Sequence, residues 1–353
     1  MAEDIEITPG KVIGSSHPCF IIAEIGQNHQ GDIKLAKQLI HAAKDSGADC
    51  VKFQKSSLAD KFNAGALARP YPGPHSWGET YGQHKQHLEF SLGQFRELQA
   101  CALDLGLVFS ASAMDMVSVD ELDSINVPFI KIGSGDADNF PLLQHAASKQ
   151  RPLIISTGMQ CMETVREMYQ TVRAVTHKFC LLHCVSSYPT PDESVNLRVI
   201  NTFRQEFPDI HVGYSGHELG TAISVAAVAM GAKVLERHLT LDKSWKGSDH
   251  ACSLTPAELS RLVGDVRCVE RALGSPTKRR LPCEEACHAK LGKTLVAARR
   301  LEAGRELGAR DLLAKVAEPR GFAAARLRDL IGRTLRVAVE RDQSILPSYV
   351  HIP

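Results

Sequence analysis

Three groups of side chains in this sequence have the types and spacing for chemistry, and each member closes or follows a short apolar run. Lys52 and Lys131, with Ser134, Ser156, Ser215 and the turns Gly133-Ser134-Gly135 and Gly158, supply ammonium charges, hydroxyls and exposed amides suited to a phosphate or carboxylate. A single lysine or serine at a strand end is ordinarily just solvated. Two strand-borne lysines aimed at one place differ, because burying unpaired ammonium groups is costly without an anion to meet them. His217 and His238 end two consecutive runs and can share a divalent ion whose other positions go to water or substrate oxygen. Two imidazoles without thiolate suit an open six-coordinate Mn²⁺ or Mg²⁺ site better than closed structural zinc. Glu24 closes the first run, placed to act as general acid or base, to orient a substrate, or to form a plain ion pair with Lys52 or Lys131.

The elements that must position these groups follow from hydrophobic period. Between residues 19 and 240 the sequence alternates short β-branched runs with longer stretches of helical period. The runs are 19–26, 49–55, 107–112, 129–134, 152–158, 179–186, 211–217 and 232–240. Helices are expected over 32–46, with Leu35, Leu39, Ile40 and Ala43 on one face and Gly47 at its C-terminus, and over 159–174, 219–230 and 256–273. Parallel strands joined by helical crossovers predict an α/β fold, a (β/α)₈ TIM barrel and not an open doubly wound sheet. In such a barrel the polar strand ends converge on one mouth. They include Glu24, Lys52 and Gln54, Ser110 and Ser112, Lys131 and Ser134, Ser156, His183, Ser186 and Tyr188, Ser215 and His217, and Glu236 and His238.

The stretch 57–89, rich in Pro and Gly and carrying His75, His84 and His87, reads as a long loop on the catalytic face. After Leu273 the helical period stops, and the composition of 276–292 reads as a linker. Strand-like pieces at 294–298, 312–316 and 334–339, separated by Gly turns, predict a small β-rich domain. The expected organisation is therefore a catalytic barrel over 1–275, a linker over 276–292 and the small domain over 293–353.

Charge excludes some functions. The 41 basic and 40 acidic residues nearly cancel, which argues against nucleic acid or a membrane surface as partner. From residue 290 onward there are 13 basic and 7 acidic residues, so the tail is about +6 and the body, with 28 and 33, about −5. Ten cysteines without a CxxC pair read as reduced thiols. The first residues carry neither the basic region nor the apolar core of a secretory signal, so a cytoplasmic location is expected.

At Ala23-Glu24-Ile25-Gly26-Gln27-Asn28-His29 and Lys52-Phe53-Gln54 the sequence resembles the sialic acid synthase family. The likeness continues through Lys131-Ile132-Gly133-Ser134-Gly135-Asp136, Tyr188-Pro189-Thr190-Pro191, Gly213-Tyr214-Ser215-Gly216-His217 and Glu236-Arg237-His238. Trp245-Lys246-Gly247-Ser248-Asp249-His250 is similar to the animal branch, which acts on N-acetylmannosamine 6-phosphate, and the tail resembles the antifreeze-like (SAF, β-clip) domain attached to these synthases.

The resemblance implies a transferase of sialic acid biosynthesis that condenses phosphoenolpyruvate with an aminosugar phosphate. It implies phosphoenolpyruvate on Lys52, Lys131, Ser134, Ser156 and Ser215, a divalent metal on His217 and His238, and Glu24, Gln54, Tyr188 and Asp249 near the sugar. It further implies a homodimer in which the antifreeze-like domain of one subunit leans over the partner's barrel, with Lys315 and Arg320 as candidates for the basic residue that reaches across. Ser110 stands where the family has Thr, Ala113 where Gly is common, and Val185 where Thr precedes Ser186, so a side-chain hydrogen bond made there is lost. Two other readings of the residues are a Schiff-base aldolase using Lys131, which leaves the histidine pair without a role, and a non-catalytic binding protein working through its tail.

Overall fold

The computed structural model describes residues 2–351. Met1, Ile352 and Pro353 lie outside the described residues, and with them the outer ends of the expected ranges 1–275 and 293–353. The chain divides into two compact units between residues 274 and 275.

Each of the eight apolar runs contains a strand. After a hairpin of β1 (Ile5–Thr8) and β2 (Lys11–Ile13) come β3 (Phe20–Gly26), β4 (Cys50–Lys55), β5 (Val108–Ala113) and β6 (Ile130–Ile132). β7 (Leu153–Ser156), β8 (Phe179–Cys184), β9 (His211–Gly216) and β10 (Val234–His238) complete the set. All eight from β3 onward are parallel and close into a barrel, with β10 paired to β3 so that His238 stands beside Glu24.

The side-chain period of two sorts each strand into two faces. Ile21, Ala23 and Ile25 of β3 join the main core between strands and helices, while Phe20 and Ile22 point inward. Inside the barrel, Phe20, Ile22, Cys50, Val108, Phe129, Ile154, Leu182 and Val234 form an apolar floor, and Ile5, Ile7 and Ile13 of the hairpin plug it from below. The hairpin has no counterpart among the expected elements. Two residues further along β3, β4, β7 and β10 the inward positions are Glu24, Lys52, Ser156 and Glu236, so the barrel interior changes from hydrocarbon to polar and charged groups within one layer.

The helices that press the strands inward are α1 (Ile33–Asp45), α5 (Leu92–Asp104), α6 (Met116–Ser124), α7 (Phe140–Ser148), α8 (Met162–Arg173), α9 (Val199–Glu206), α10 (Ala222–Ala229) and α11 (Pro256–Leu273). α1 starts where the Asp32 carboxylate accepts from the amides of Lys34 and Leu35. It ends before Gly47, whose φ of +82° suits a residue without Cβ. Ala36, Leu39, Ile40 and Ala43 are its buried stripe, and Leu35, expected on that face, is only half-buried. α11 begins with a reciprocal cap between Thr255 and Glu258 and Pro256 at its first position.

The expected loop 57–89 is instead built from short helices: α2 (Leu58–Lys61), α3 (Ala64–Ala68) and α4 (Tyr81–Leu88). Asn63 caps α3, and Thr80 with Gln83 forms a capping box on α4, a local signal present in the sequence beneath its Pro and Gly content. Phe62, Tyr71, Tyr81 and His84 pack on one another, mostly edge-on or tilted, with ring centroids 4.7 to 6.0 Å apart, giving this lid its own small core.

In the second unit β11 (Thr294–Ala297) pairs antiparallel with β12 (Leu312–Lys315), around a core of Leu295, Leu301, Leu307, Leu312, Leu335, Val339 and Ile345. The third expected strand, 334–339, is a series of isolated bridges to Glu306, Leu301 and Val350. The expected linker 276–292 carries a helix, α12 (Glu285–Leu291), and a further turn of helix, α13 (Leu327–Leu330), lies in the small unit. No helix among the described residues is long and apolar enough to cross a membrane.

Two ionic features make predictions. Arg237 points outward from β10 into the helical layer, where it is fully buried and bonded to Glu218 Oε1 at 2.7 Å and to Ser224 Oγ at 2.7 Å. Removing the carboxylate strands a buried guanidinium, so Glu218→Ala is expected to lower the barrel's unfolding free energy by about 3–5 kcal/mol in urea titration, with Glu218→Gln losing less. Asp311 is buried in the small unit between Arg299, Arg305 and the Gly308 amide. Burial pushes its carboxyl up, but Arg305, the amide and Arg299 outweigh this and hold it at about 2. A folded-state value below the unfolded one of about 4 means the stabilisation is complete above that value and lost as pH falls towards 2. Because both arginines are solvent-exposed, the effect is at most about 2 kcal/mol. Thermal melts between pH 6 and pH 2.5 should show the small unit's acid loss reduced in Asp311→Asn.

Candidate active site

The polar layer above the apolar floor lines a cavity of about 440 Å³ at the C-terminal mouth of the barrel, and every barrel strand contributes to it. A larger recess, about 970 Å³, lies against the lid beside Leu58, Leu67 and Trp77. It is more open, has no lysine in its wall, and its one carboxylate and one imidazole are engaged elsewhere, Glu89 with Lys55 and His87 stacked on Trp77, so the chemistry belongs to the smaller cavity.

Four buried charges occupy its base. Lys52 Nζ lies 2.6 Å from Glu24 Oε2, 3.6 Å from Glu236 Oε1 and 2.8 Å from Ser112 Oγ. Lys131 Nζ donates to Ser156 Oγ at 2.7 Å and to the Ile132 carbonyl at 3.0 Å, while its closest carboxylate, Glu236 Oε2, is 4.0 Å away. The two lysines therefore differ. Burial works against both ammonium groups, but Glu236 and Glu24 more than compensate Lys52 and raise it, whereas Lys131 remains below the ordinary lysine value. Lys131 is thus a buried cation short of negative charge, which is what an anionic ligand would supply. Burial lifts Glu24 above the usual carboxylate range, against the pull of Lys52 and with the push of Glu236. Burial acts upward on Glu236 too, but Lys131 and Lys52 draw it below.

The amide of Gly158 donates to Ser134 Oγ at 2.9 Å. A Cβ on Gly158 would stand 2.2 Å from Ser186 Oγ and 2.8 Å from Ser134 Oγ, so this turn can bring its backbone to the two hydroxyls only as glycine.

His217 and His238 face one another with ring centroids 5.4 Å apart. His217 Nδ1 is 2.9 Å from the Val185 carbonyl, which places the proton on Nδ1 and leaves the Nε2 lone pair free. Val185 thus serves through its backbone and needs no side-chain hydroxyl for this contact. Tyr188 packs its ring 4.1 Å from that of His217. Burial lowers His238 below the ordinary histidine value, against the opposite pull of Asp249 and Glu236, which favours the uncharged imidazole. His238 Nδ1 is buried without a hydrogen-bond partner, 3.8 Å from Asp249 Oδ2, and Glu236 Oε2 is likewise unpartnered among the described residues. Glu24 Oε2 also lacks a directed hydrogen bond, although Lys52 touches it. Three such atoms in one cavity mark a place where a ligand is to be met.

Of the residues singled out in the sequence, Glu24, Lys52, Gln54, Lys131, Ser134, Ser156, Ser186, Tyr188, Ser215, His217, His238 and Asp249 all line this cavity. Ser110 does not. It sits one layer lower, bonded to the Phe129 carbonyl at 2.7 Å, and Ser112 takes its place against Lys52. Lys315 and Arg320 are in the second unit and exposed. Lys315 pairs with Asp342, and Arg320 donates to the carbonyls of His288 and Ala289. Glu236, named in the sequence only as a strand end, proves to be the carboxylate shared by both lysines; its spacing of two from His238 was the available signal. Lys61 and Lys85 also line the cavity and carried no sequence signal of their own, and Asp136, present in the sequence only as the end of a family-like segment, joins them there.

Comparison with known proteins places this arrangement in context. A profile described as the NeuB family matches residues 39–278. The chain is 56% identical over 350 residues to the N-acetylneuraminate-9-phosphate synthases of Mus musculus and Homo sapiens, covering 99% of this chain and 98% of each of those. Among solved structures it is similar to the N-acetylneuraminic acid (sialic acid) synthetase of Leptospira borgpetersenii serovar Hardjo-bovis in complex with citrate. That match has a TM-score of 0.71 and 31% identity over 81% of this chain and 95% of the other.

The uneven charge around Lys131 can be tested without substrate. Saturating inorganic phosphate should raise the barrel's thermal midpoint by several degrees, at ~2–4 °C per kcal/mol of ligand stabilisation. Lys131→Met should abolish the rise; an unmoved midpoint in the unaltered chain would refute the anion cradle.

Proposed function

This chain belongs to the NeuB family, and from that premise we propose that it condenses phosphoenolpyruvate with N-acetylmannosamine 6-phosphate and water to give N-acetylneuraminate 9-phosphate and phosphate. The single observation that carries the reading is the pairing, in one cavity, of an anion cradle short of negative charge with two facing imidazoles. Mannose 6-phosphate is a further candidate acceptor.

Lys52, Lys131, Ser134, Ser156 and Ser215 hold the phosphate and carboxylate of phosphoenolpyruvate, with Glu236 keeping both ammonium groups directed at it. His217 and His238 would hold a divalent ion, Mn²⁺ or Mg²⁺. No group of three or more metal-ligating side chains occurs among the described residues, so two imidazoles with free nitrogens fit an ion whose remaining positions are filled by water and substrate oxygen. Bound there, the ion supplies Lewis-acid polarisation of the acceptor's aldehyde oxygen. C3 of phosphoenolpyruvate then forms the new bond to the aldehyde carbon, water adds at C2, and phosphate leaves with its bridging oxygen. Glu24, held above the usual carboxylate range by burial, can carry a proton near neutral pH and deliver it to the oxygen formed from the aldehyde. Gln54, Tyr188 and Asp249 orient the sugar from the cavity wall.

The small unit, which resembles the antifreeze-like domain, is proposed to lean over the barrel of a second copy in a homodimer. Lys315 is the better placed basic residue, since its partner Asp342 is exposed and easily exchanged and Leu313 and Val316 beside it are exposed apolar side chains. Arg320 is committed to backbone carbonyls. The lowered value of Lys131 also suits a Schiff-base aldolase, which would leave His217 and His238 idle.

The experiment is release of inorganic phosphate from phosphoenolpyruvate with N-acetylmannosamine 6-phosphate. Turnover should be lost with EDTA and restored by Mn²⁺, and His238→Ala should lower kcat/KM at least about 10³-fold while the fold stays intact by circular dichroism. Undiminished turnover in His238→Ala, or pyruvate trapped on Lys131 by borohydride in the presence of EDTA, would overturn the proposal.

A further inference from the structure

Two lysines of the cavity wall, Lys61 and Lys85, take part in neither the cradle nor the histidine pair. Both come from the lid: Lys61 ends α2 and Lys85 lies within α4. Lys85 Nζ donates to Gln27 Oε1 at 2.8 Å and lies 5.5 Å from the Tyr81 ring centroid. Lys61 Nζ rests against the Met114 thioether, a weak acceptor, and 5.2 Å from the Phe62 ring centroid.

Among the described residues neither lysine forms an ion pair, although both line the same cavity as Lys52 and Lys131. The acidic groups acting on them are largely committed elsewhere. Glu89 is bonded to Lys55 at 2.8 Å, and Asp115 accepts from the Ser57 amide at 2.7 Å and from Ser118. Asp249 serves the histidine side of the cavity, and Asp136 lies outside ion-pair distance of Lys61. Burial holds both lysines below their ordinary value, and Lys61 pushes Lys85 down further. Two half-buried, mutually repelling ammonium groups that no carboxylate approaches within ion-pair distance are further stabilised by a dianion placed between them.

The cradle accounts for one phosphate group, that of phosphoenolpyruvate. The acceptor carries another, on the carbon farthest from its reacting aldehyde. That aldehyde must lie near the histidines and the barrel floor, so the phosphorylated end extends outward, towards the lid.

We propose that Lys61 and Lys85 form the subsite for the acceptor's phosphate group, and so make the lid the element that selects a phosphorylated over an unphosphorylated sugar. This rests on the acceptor assignment made above. It also gives the lid a reason to be helical: Lys85 is carried on the capped helix α4 and Lys61 on the single turn α2, each with an aromatic ring close to its ammonium group.

Steady-state kinetics of Lys61→Met, Lys85→Met and the double variant test the proposal. Each single change should raise KM for N-acetylmannosamine 6-phosphate at least about tenfold, the loss expected for one charge-assisted contact. KM for phosphoenolpyruvate should stay within about twofold, and Lys85→Arg should recover part of the loss. Calorimetric binding of mannitol 6-phosphate, which has no aldehyde and cannot react, gives a second readout that survives loss of turnover: the unaltered chain should bind it, mannitol should not compete, and the double variant should fail to bind. An unchanged KM for the sugar phosphate, a parallel rise in KM for phosphoenolpyruvate, or undiminished binding of mannitol 6-phosphate by the double variant would overturn the subsite. Failure of the unaltered chain to turn over any sugar phosphate would instead sink the acceptor assignment.

Discussion

Two ammonium groups and two carboxylates buried together at the bottom of a barrel mouth are the constraint around which this protein is arranged. Lys52, Lys131, Glu24 and Glu236 are each nearly inaccessible to solvent, and an ion taken from water to such a place costs several kcal/mol unless it is met by opposite charge and hydrogen bonds. Lys52 is met twice, by Glu24 and Glu236. Lys131 is met by a hydroxyl, a carbonyl and a carboxylate at the limit of ion-pair distance. The quartet is therefore neutral in count but uneven in distribution. An incoming trianion would find an ammonium already desolvated and still seeking a counter-charge, so the electrostatic cost of the site is borne in folding and not at the moment of binding.

The rest of the barrel serves that quartet. The apolar floor of Phe20, Ile22, Val108, Phe129 and Ile154, plugged by the N-terminal hairpin, keeps water from reaching the charges from below. On the outer face Arg237, flanked in sequence by Glu236 and His238, is tied to Glu218 and Ser224, which fixes the strand whose inward neighbours supply both a shared carboxylate and one imidazole of the facing pair. The small hydrogen-bonded details have the same purpose. Val185 holds the His217 ring by its carbonyl, and Gly158 brings two serine hydroxyls together because it has no Cβ. One set of contacts thus links strand pairing, packing and the chemistry proposed for the mouth. Above it, the lid adds two lysines of a different kind, half-buried and backed by aromatic rings, at the outer end of the same cavity.

Much of this was legible in the amino-acid sequence. Alternation of apolar runs and helical period determined the eight strands, the helices 33–45 and 256–273 and the barrel, because those signals are local and repeat. Strand-end position determined that Glu24, Lys52, Lys131, Ser156, Ser215, His217 and His238 would share one mouth, since a closed parallel barrel leaves them nowhere else to converge. What only the tertiary structure decided were the matters of layer and of long-range packing. Ser110 and Ser112 are both inward-facing, and strand tilt, which no local pattern encodes, puts the second and not the first against Lys52. Glu236 became the centre of the charge quartet because strands distant in sequence bring both lysines to it. The lid looked like loop because its Pro and Gly content outweighs its short helices, which are supported by aromatic contacts across the segment; Lys61 and Lys85 reach the cavity only through that packing.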